Sequence, residues 1–332
     1  MRESITVYVH ERRAEALDVV SFDLRPVDGG QLPQFAPGAH VDVFVPSDEL
    51  AEEALKAIRQ YSLCNDPVER HRYVIGVGLN SAGRGGSRAL HERVRVGDRL
   101  RISAPRNHFA LTDQSHESVL IAGGIGITPL LAMARQLDMQ RRPWKLYYCV
   151  RTPARAAFAE PLLSLRHSGS VEFVFSGTVG GGLLNLDEVV RNTSPDTHFY
   201  CCGPGSLLDE FQRATQLCPQ ENVHFERFSA PPETPSAKPT NAKTGTFTVH
   251  LARSGGSVTV TPGQSILEAL EAAGHTPEYS CRTGICGACE TRVVDGRPAH
   301  RDCVLSSAEA EKGDRMMICV SGCLGDSLHL DL

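Results

Sequence analysis

No stretch of this sequence stays apolar for long enough to cross a bilayer. The longest apolar segment runs from Val119 to Ala134 and is interrupted by Gly123, Gly124, Gly126 and Pro129. A dominant charge is also missing: 34 Lys and Arg stand against 39 Asp and Glu, a formal net charge of −5. That balance leaves no electrostatic footprint for nucleic acid. The opening residues, Met1-Arg-Glu-Ser-Ile-Thr-Val, have no apolar secretory core. The expectation is a soluble cytoplasmic protein with neither membrane nor nucleic acid as partner; oligomeric state is not written in the sequence, and a monomer is the plainest expectation. There is no internal repeat, no G-x-G-x-x-G fingerprint, and no Ser/His/Asp or paired-carboxylate constellation.

Cysteine, by contrast, is plentiful. There are eleven, an odd number that argues against a complete disulfide framework. Cys281, Cys286, Cys289, Cys303, Cys319 and Cys323 all fall after residue 280. Three of them read Cys281-Arg-Thr-Gly-Ile-Cys286-Gly-Ala-Cys289, and Cys319 follows in an apolar segment expected to be a strand. C-x4-C-x2-C with one distant cysteine is the spacing of a plant-type [2Fe–2S] site. Cys303 and Cys323 compete with Cys319 for the fourth place, which Cys319 fits best. Structural zinc is the alternative, but zinc sites favour paired C-x2-C or Cys/His knuckles and only one such pair exists here.

The texture changes along the chain. Residues 1–112 alternate apolar and polar between turn signals, as in an antiparallel sheet or barrel. Residues 113–228 alternate strand-like and helix-like segments, as in an open parallel sheet. Residues 229–244 are rich in Pro, Ser, Thr and Ala and read as a linker. Residues 245–332 form a separate unit that carries the cysteine loop.

Two Gly-rich turns end strands of the middle segment. Gly123-Gly124-Ile-Gly126-Ile-Thr128-Pro129 is read as a turn into a helix, with Thr128 as N-cap and Pro129 at the first position. Cys202-Gly203-Pro204 is the second, and a crevice between such strand ends can receive a nucleotide. In the front segment, Arg59-Gln-Tyr61-Ser62 places a cation, an aromatic and a hydroxyl on one strand end. Gly83-Arg84-Gly85-Gly86-Ser87 precedes a helix that Ser87 is expected to cap, a possible phosphate nest.

Taken in order, these motifs together with Phe225-Glu226-x-Phe228 and the cysteine loop resemble the phthalate dioxygenase reductase family, which includes vanillate O-demethylase reductases. The resemblance spans essentially the whole chain. It implies a six-stranded antiparallel β-barrel that binds FMN, an α/β open parallel sheet that binds NAD, and an α+β ferredoxin-like β-grasp domain with a plant-type [2Fe–2S] centre. By that resemblance Arg59, Tyr61 and Ser62 contact the flavin, with Ser62 near N5, and Arg84, Gly85, Gly86 and Ser87 hold the FMN phosphate. Gly124, Thr128, Cys202, Gly203 and Pro204 would lie along NADH, with Cys202 near the nicotinamide and Phe228 against the isoalloxazine. Ser62, Cys202 and Phe228 are thus the residues expected at the hydride-transfer centre, and Cys281, Cys286, Cys289 and Cys319 the cluster ligands. The implied activity is electron transfer from NADH through FMN and [2Fe–2S] to a terminal oxygenase, with two alternatives: a stand-alone NAD(P)H:acceptor reductase, and a non-enzymatic metal or redox sensor. Arg151 and Arg155 follow the second strand of the middle segment, where a 2′-phosphate could be met, whereas NADH follows from the resemblance.

Overall fold

Alternation puts Val7 and Val9 into a core and Thr6 and His10 outside it along β1 (Ser4–Ala16), the longest strand of the front sheet. The structure is a computed structural model that describes residues 4–45, 58–81, 83, 85–113, 116–165, 167–230 and 245–332. β1 pairs antiparallel with β2 (Val19–Pro26) and, at its start, with β6 (Arg99–Ser103). With β3 (His40–Phe44), β4 (Ile58–Ser62) and β5 (Tyr73–Gly78) the order is β4-β3-β6-β1-β2-β5. The two outer strands are joined by the bridge Leu63↔Ile75, with Cys64 N–H donating to Val74 O at 2.9 Å, so the sheet closes into a six-stranded barrel. Phe22, Leu24, Val41, Val43, Ile75 and Ile102 fill it. Asp42, buried between Val41 and Val43 on the opposite face of β3, accepts from Gln60 Nε2 at 2.7 Å and Arg106 Nη2 at 2.8 Å. The short helix α1 (Gly86–Arg93) follows β5.

A parallel sheet follows, in the order β11-β10-β7-β8-β9. Its strands are β7 (Glu117–Gly123), β8 (Trp144–Val150), β9 (Gly169–Phe175), β10 (Thr197–Cys202) and β11 (Val223–Glu226). The helices α2 (Ile127–Met139), α3 (Ala159–Ser164), α4 (Leu186–Arg191) and α5 (Gly205–Ala214) connect them. Leu120, Ala122 and Leu146 of the sheet pack against Ile127, Leu130, Leu131 and Ala134 of α2. α2 is apolar over almost its whole circumference because both the sheet and the barrel cover it: a Cβ on Gly76 of β5 would stand 2.7 Å from Thr128 Cγ2.

The chain divides between Phe228 and Ser229 into two compact units. The second carries a mixed sheet ordered β13-β12-β16-β14-β15, from β12 (Phe247–Leu251), β13 (Ser257–Val260), β14 (Glu290–Ala299), β15 (Arg315–Met317) and β16 (Gly322–Leu330). Helix α6 (Ile266–Ala272) lies on it, with α7 (Ser307–Lys312) near the far edge. Both helices start with a capping box, Ser265 with Glu268 and Ser306 with Glu309. Cys319 lies not in a strand but in the turn after β15, because β15 ends at Met317. Among the described residues no helix is long and apolar enough to cross a membrane.

Candidate functional site

The barrel end. The β3–β4 register sets Ser62 directly opposite His40, and both are buried. Tyr61, one step back, is half-buried, and burial pushes its phenol up. Arg59 donates from Nη1 to its neighbour Ile58 O at 2.8 Å, and its stem lies over the start of α1. A Cβ added to Gly86 would stand 2.7 Å from Arg59 Cγ, so only glycine lets the guanidinium stem approach. Gly85 is needed for a different reason: its φ of 83° is left-handed and it faces open space at the N-cap of α1. Ser87 does not cap this helix. It sits one residue inside, and its Oγ accepts from Asn80 N–H at 3.0 Å, tying the loop to α1. Arg84 lies outside the described residues.

The parallel-sheet end. β7 runs into a 3-10 turn, Gly124–Gly126, before α2 begins at Ile127. That extra turn moves the cap. Gly126 is the N-cap, Thr128 is the second helical residue and Pro129 the third, and the Thr128 hydroxyl donates back to Ile125 O at 3.0 Å. The three glycines have separate causes. A Cβ on Gly126 would fall 2.1 Å from Cys202 O, and one on Gly123 2.6 Å from Pro204 Cδ. These two let the first Gly-rich turn dock on Cys202, Gly203 and Pro204, the end of β10. Gly124, at φ 55°, has nothing within 4 Å of its Cβ position and is the one that opens to solvent. Cys201 and Cys202 are both fully buried, and burial, followed by the nearby Glu226, pushes the Cys202 thiol well above its ordinary range.

Two further residues join these ends. The parallel β10–β11 register aligns Cys202 with Glu226. Glu226 Oε1 lies 4.0 Å from His40 Nδ1, across from Ser62. Burial raises the Glu226 carboxyl to about 8, and its Oε2 has no hydrogen-bond partner. Ser62, His40, Glu226 and Cys202 therefore form one buried line from barrel to parallel sheet. Sequence reading missed His40 entirely and noted Glu226 only as part of a motif. The available signal was a carboxylate between Phe225 and Phe228 at the end of an apolar strand. Beyond it, Arg227 donates to Asp209 and Gln212 of α5, each at 2.8 Å, and so fixes the chain while leaving Phe228 42% exposed. An aromatic face held in place and left uncovered is suited to a flat ring.

The cysteine loop. Residues 280–289 form irregular turns with left-handed φ at Arg282, Gly284 and Gly287. Cys281, Cys286, Cys289 and Cys319 are all buried, and their sulfurs approach in pairs, Cys281 with Cys286 and Cys289 with Cys319, while Cys281 also meets Cys319. The Cys286 contact above all holds Cys281 low, and the same contacts push Cys286 and Cys319 up. Backbone amides aim at the sulfurs: Thr283 N–H at 3.3 Å from Cys281 Sγ and Cys281 N–H at 3.4 Å from Cys286 Sγ. Four thiols that meet in pairs, with amides to offset charge on sulfur, fit a two-iron core bound two thiolates per iron.

Asp302 braces this loop. Its side chain is 1% exposed and accepts from Val304 and Leu305 N–H at 3.0 and 2.9 Å and from Ser321 Oγ at 3.4 Å. Cys303 N–H next to it donates to Gly284 O at 2.9 Å. One segment thus ties the middle of the loop to the turn that carries Cys319. Cys323 serves its own turn, with its thiol donating to Ser327 O at 3.4 Å and accepting from Gly325 N–H at 3.2 Å.

Comparison with known proteins agrees with this arrangement. Residues 249–323 match the 2Fe-2S iron-sulfur cluster binding domain, and residues 120–213 the oxidoreductase NAD-binding domain. The chain is 42% identical to the phenoxybenzoate dioxygenase subunit beta of Ectopseudomonas oleovorans, over 99% of this chain and 97% of that one. It is 41% identical to the tetrachlorobenzoquinone reductase of Sphingobium chlorophenolicum, over 96% and 94%. With the phthalate dioxygenase reductase of Burkholderia cepacia it shares 40% identity, again over 96% and 94%. A solved phthalate dioxygenase reductase, described as a modular structure for electron transfer from pyridine nucleotides to [2Fe–2S], superposes at a TM-score of 0.68 with 38% identity, covering 99% of this chain and 98% of that one. An intact self-sufficient cytochrome P450 monooxygenase superposes at 0.89 with 35% identity over 99% of this chain, which spans only 41% of it.

Proposed function

The chain belongs to the phthalate dioxygenase reductase family, and from that premise we propose that it is the NADH-dependent reductase component of a multicomponent oxygenase of the Rieske type, acting as a cytoplasmic monomer. The observation that carries this reading is the coexistence in one chain of the paired cysteine loop, the open Gly124 turn and the buried line from Ser62 to Cys202.

When bound, FMN takes up a hydride from NADH and the [2Fe–2S] centre passes electrons on one at a time. The chain's own residues position and insulate these groups. Gly85 and Gly86, with Ser87 and Arg59 beside them, offer backbone N–H groups and a cation to the FMN phosphate. Tyr61 and Ser62 present an aromatic face and a hydroxyl to the ring. Gly124 leaves room for the nucleotide diphosphate, and Gly203, Pro204 and Thr128 shape the floor beneath it. Phe228, left exposed at the end of the parallel sheet, would pack against the flavin ring. Glu226 carries a proton at neutral pH and stands with His40 where a proton can be held next to Ser62. Cys281, Cys286, Cys289 and Cys319 hold the cluster.

Anaerobic NADH titration of the purified protein with cofactor analysis tests this. The expected result is FMN, about two irons per chain and uptake of about three electrons. A colourless, zinc-containing protein contradicts it. The identity to a tetrachlorobenzoquinone reductase favours one further reading, a self-contained quinone reductase. Rapid turnover with a quinone and none with any oxygenase would favour that reading instead.

A further inference from the structure

The rim beside the nucleotide turn has a chemistry that the NADH reading leaves unused. In a βαβ nucleotide site the second strand ends beside the adenosine ribose. A carboxylate there binds the 2′- and 3′-hydroxyls of NADH, and an arginine there accommodates a 2′-phosphate. Here the first strand is β7, with Gly124 at its end, and the second is β8, its parallel neighbour.

Past Val150 the chain reads Arg151-Thr152-Pro153-Ala154-Arg155, and no Asp or Glu occurs from Lys145 to Ala159. The adjacent strand end gives the same result, since Phe173 to Leu186 contains no acid either. The two ends continue beyond the sheet as one rim: Ser176 N–H donates to Val150 O at 3.1 Å, and Gly177 N–H to Arg151 O at 2.8 Å. This close approach sets the Arg151 backbone against Gly177, and the side chains of Arg151 and Ser176 are exposed on the rim. Asp18 pairs with Arg155 at 3.2 Å, and Glu172 with Lys145 at 3.0 Å. Arg155 is thereby drawn toward the barrel, where Leu17 N–H also bonds Ala154 O at 2.8 Å. Among the described residues Arg151 makes no ion pair.

We propose that Arg151, with the Thr152 and Ser176 hydroxyls, forms a site for the ribose 2′-phosphate, so that this reductase accepts NADPH as well as NADH. The proposal rests on the pyridine-nucleotide reading of the middle domain. A guanidinium gives a phosphate monoester dianion two parallel charge-assisted hydrogen bonds, and nothing acidic on the rim opposes it.

The test uses the full chain with its cofactors bound. Calorimetry compares adenosine 2′,5′-bisphosphate with 5′-AMP, and stopped-flow flavin reduction compares NADPH with NADH. The bisphosphate should bind about tenfold tighter than 5′-AMP, and Arg151→Ala should erase that advantage while Arg151→Lys keeps part of it. The ratio of kcat/KM for NADPH to that for NADH should fall about tenfold in Arg151→Ala. If NADH reduces the protein but the bisphosphate binds no better than 5′-AMP, the 2′-phosphate site is refuted and the reductase reading stands. If NADH itself fails to reduce the flavin, the reductase reading falls and takes this proposal with it.

Discussion

Glu226 Oε1 lies 4.0 Å from His40 Nδ1, and this one approach links the last strand of the parallel sheet to the barrel strand that faces Ser62. Neither residue is close to the other in sequence. Their meeting requires barrel and parallel sheet to pack as one unit, which the contact of Gly76 with Thr128 also enforces. The hydride-transfer centre proposed here is therefore a product of packing between two sheets, whereas the cluster site is built from one loop and one turn.

Glu226 gives the first prediction. Burial raises its carboxyl to about 8 in the folded protein, far above the ordinary glutamate value of the unfolded chain. Between those values the folded state binds the extra proton, so stability is fully present below the unfolded pKa and is lost as pH rises toward 8. Urea unfolding at pH 5 and pH 8.5 should show a drop on the order of a few kcal/mol in the wild type and a smaller one in Glu226→Gln. Equal drops in both proteins would assign the pH dependence elsewhere.

The Gly-rich turn separates packing from binding. Gly126→Ala places a methyl 2.1 Å from Cys202 O, so backbone must shift, and a loss of about 3 kcal/mol or more is expected in thermal unfolding. Gly124→Ala meets no neighbour and bears only the strain of φ 55°, about 1 kcal/mol, yet its methyl projects into the open cradle. Its KM for NADH should rise by about tenfold or more with little change in melting temperature. Similar melting points for the two variants would contradict this division.

Asp302 gives the third. Asp302→Asn keeps the shape but weakens acceptance from the Val304 and Leu305 amides and turns a donor toward Ser321. Iron release to a chelator, followed by loss of visible absorbance, should speed up about tenfold, while flavin content stays unchanged because Asp302 belongs to the other compact unit. An unaltered release rate would remove Asp302 from the support of the loop.

How far these features were legible in the sequence depends on their range. Cys281, Cys286 and Cys289 are bound by local spacing, and the Gly-rich strand ends announce themselves by composition. Alternation around Val41 and Ile75 made the barrel readable, and Val119 to Ala122 the first parallel strand. The caps were misplaced for local reasons. A 3-10 turn intervenes before α2 and moves Thr128 inside it, and left-handed Gly85 takes the cap position that Ser87 was expected to hold. Cys319 reads as strand by its apolar neighbours, but β15 stops at Met317 and the chain turns to bring the sulfur to Cys289. His40 carried no local signature and Glu226 only its place between Phe225 and Phe228, because what marks them is their approach to each other across the two sheets.

The central claim is that electrons travel from NADH through the flavin to the cluster within this chain. Anaerobic mixing with NADH, followed by freezing and electron paramagnetic resonance, tests it most directly. The account predicts the signal of a reduced [2Fe–2S] centre at about one spin per chain in the wild type. A cluster that dithionite reduces but NADH leaves oxidised would contradict it.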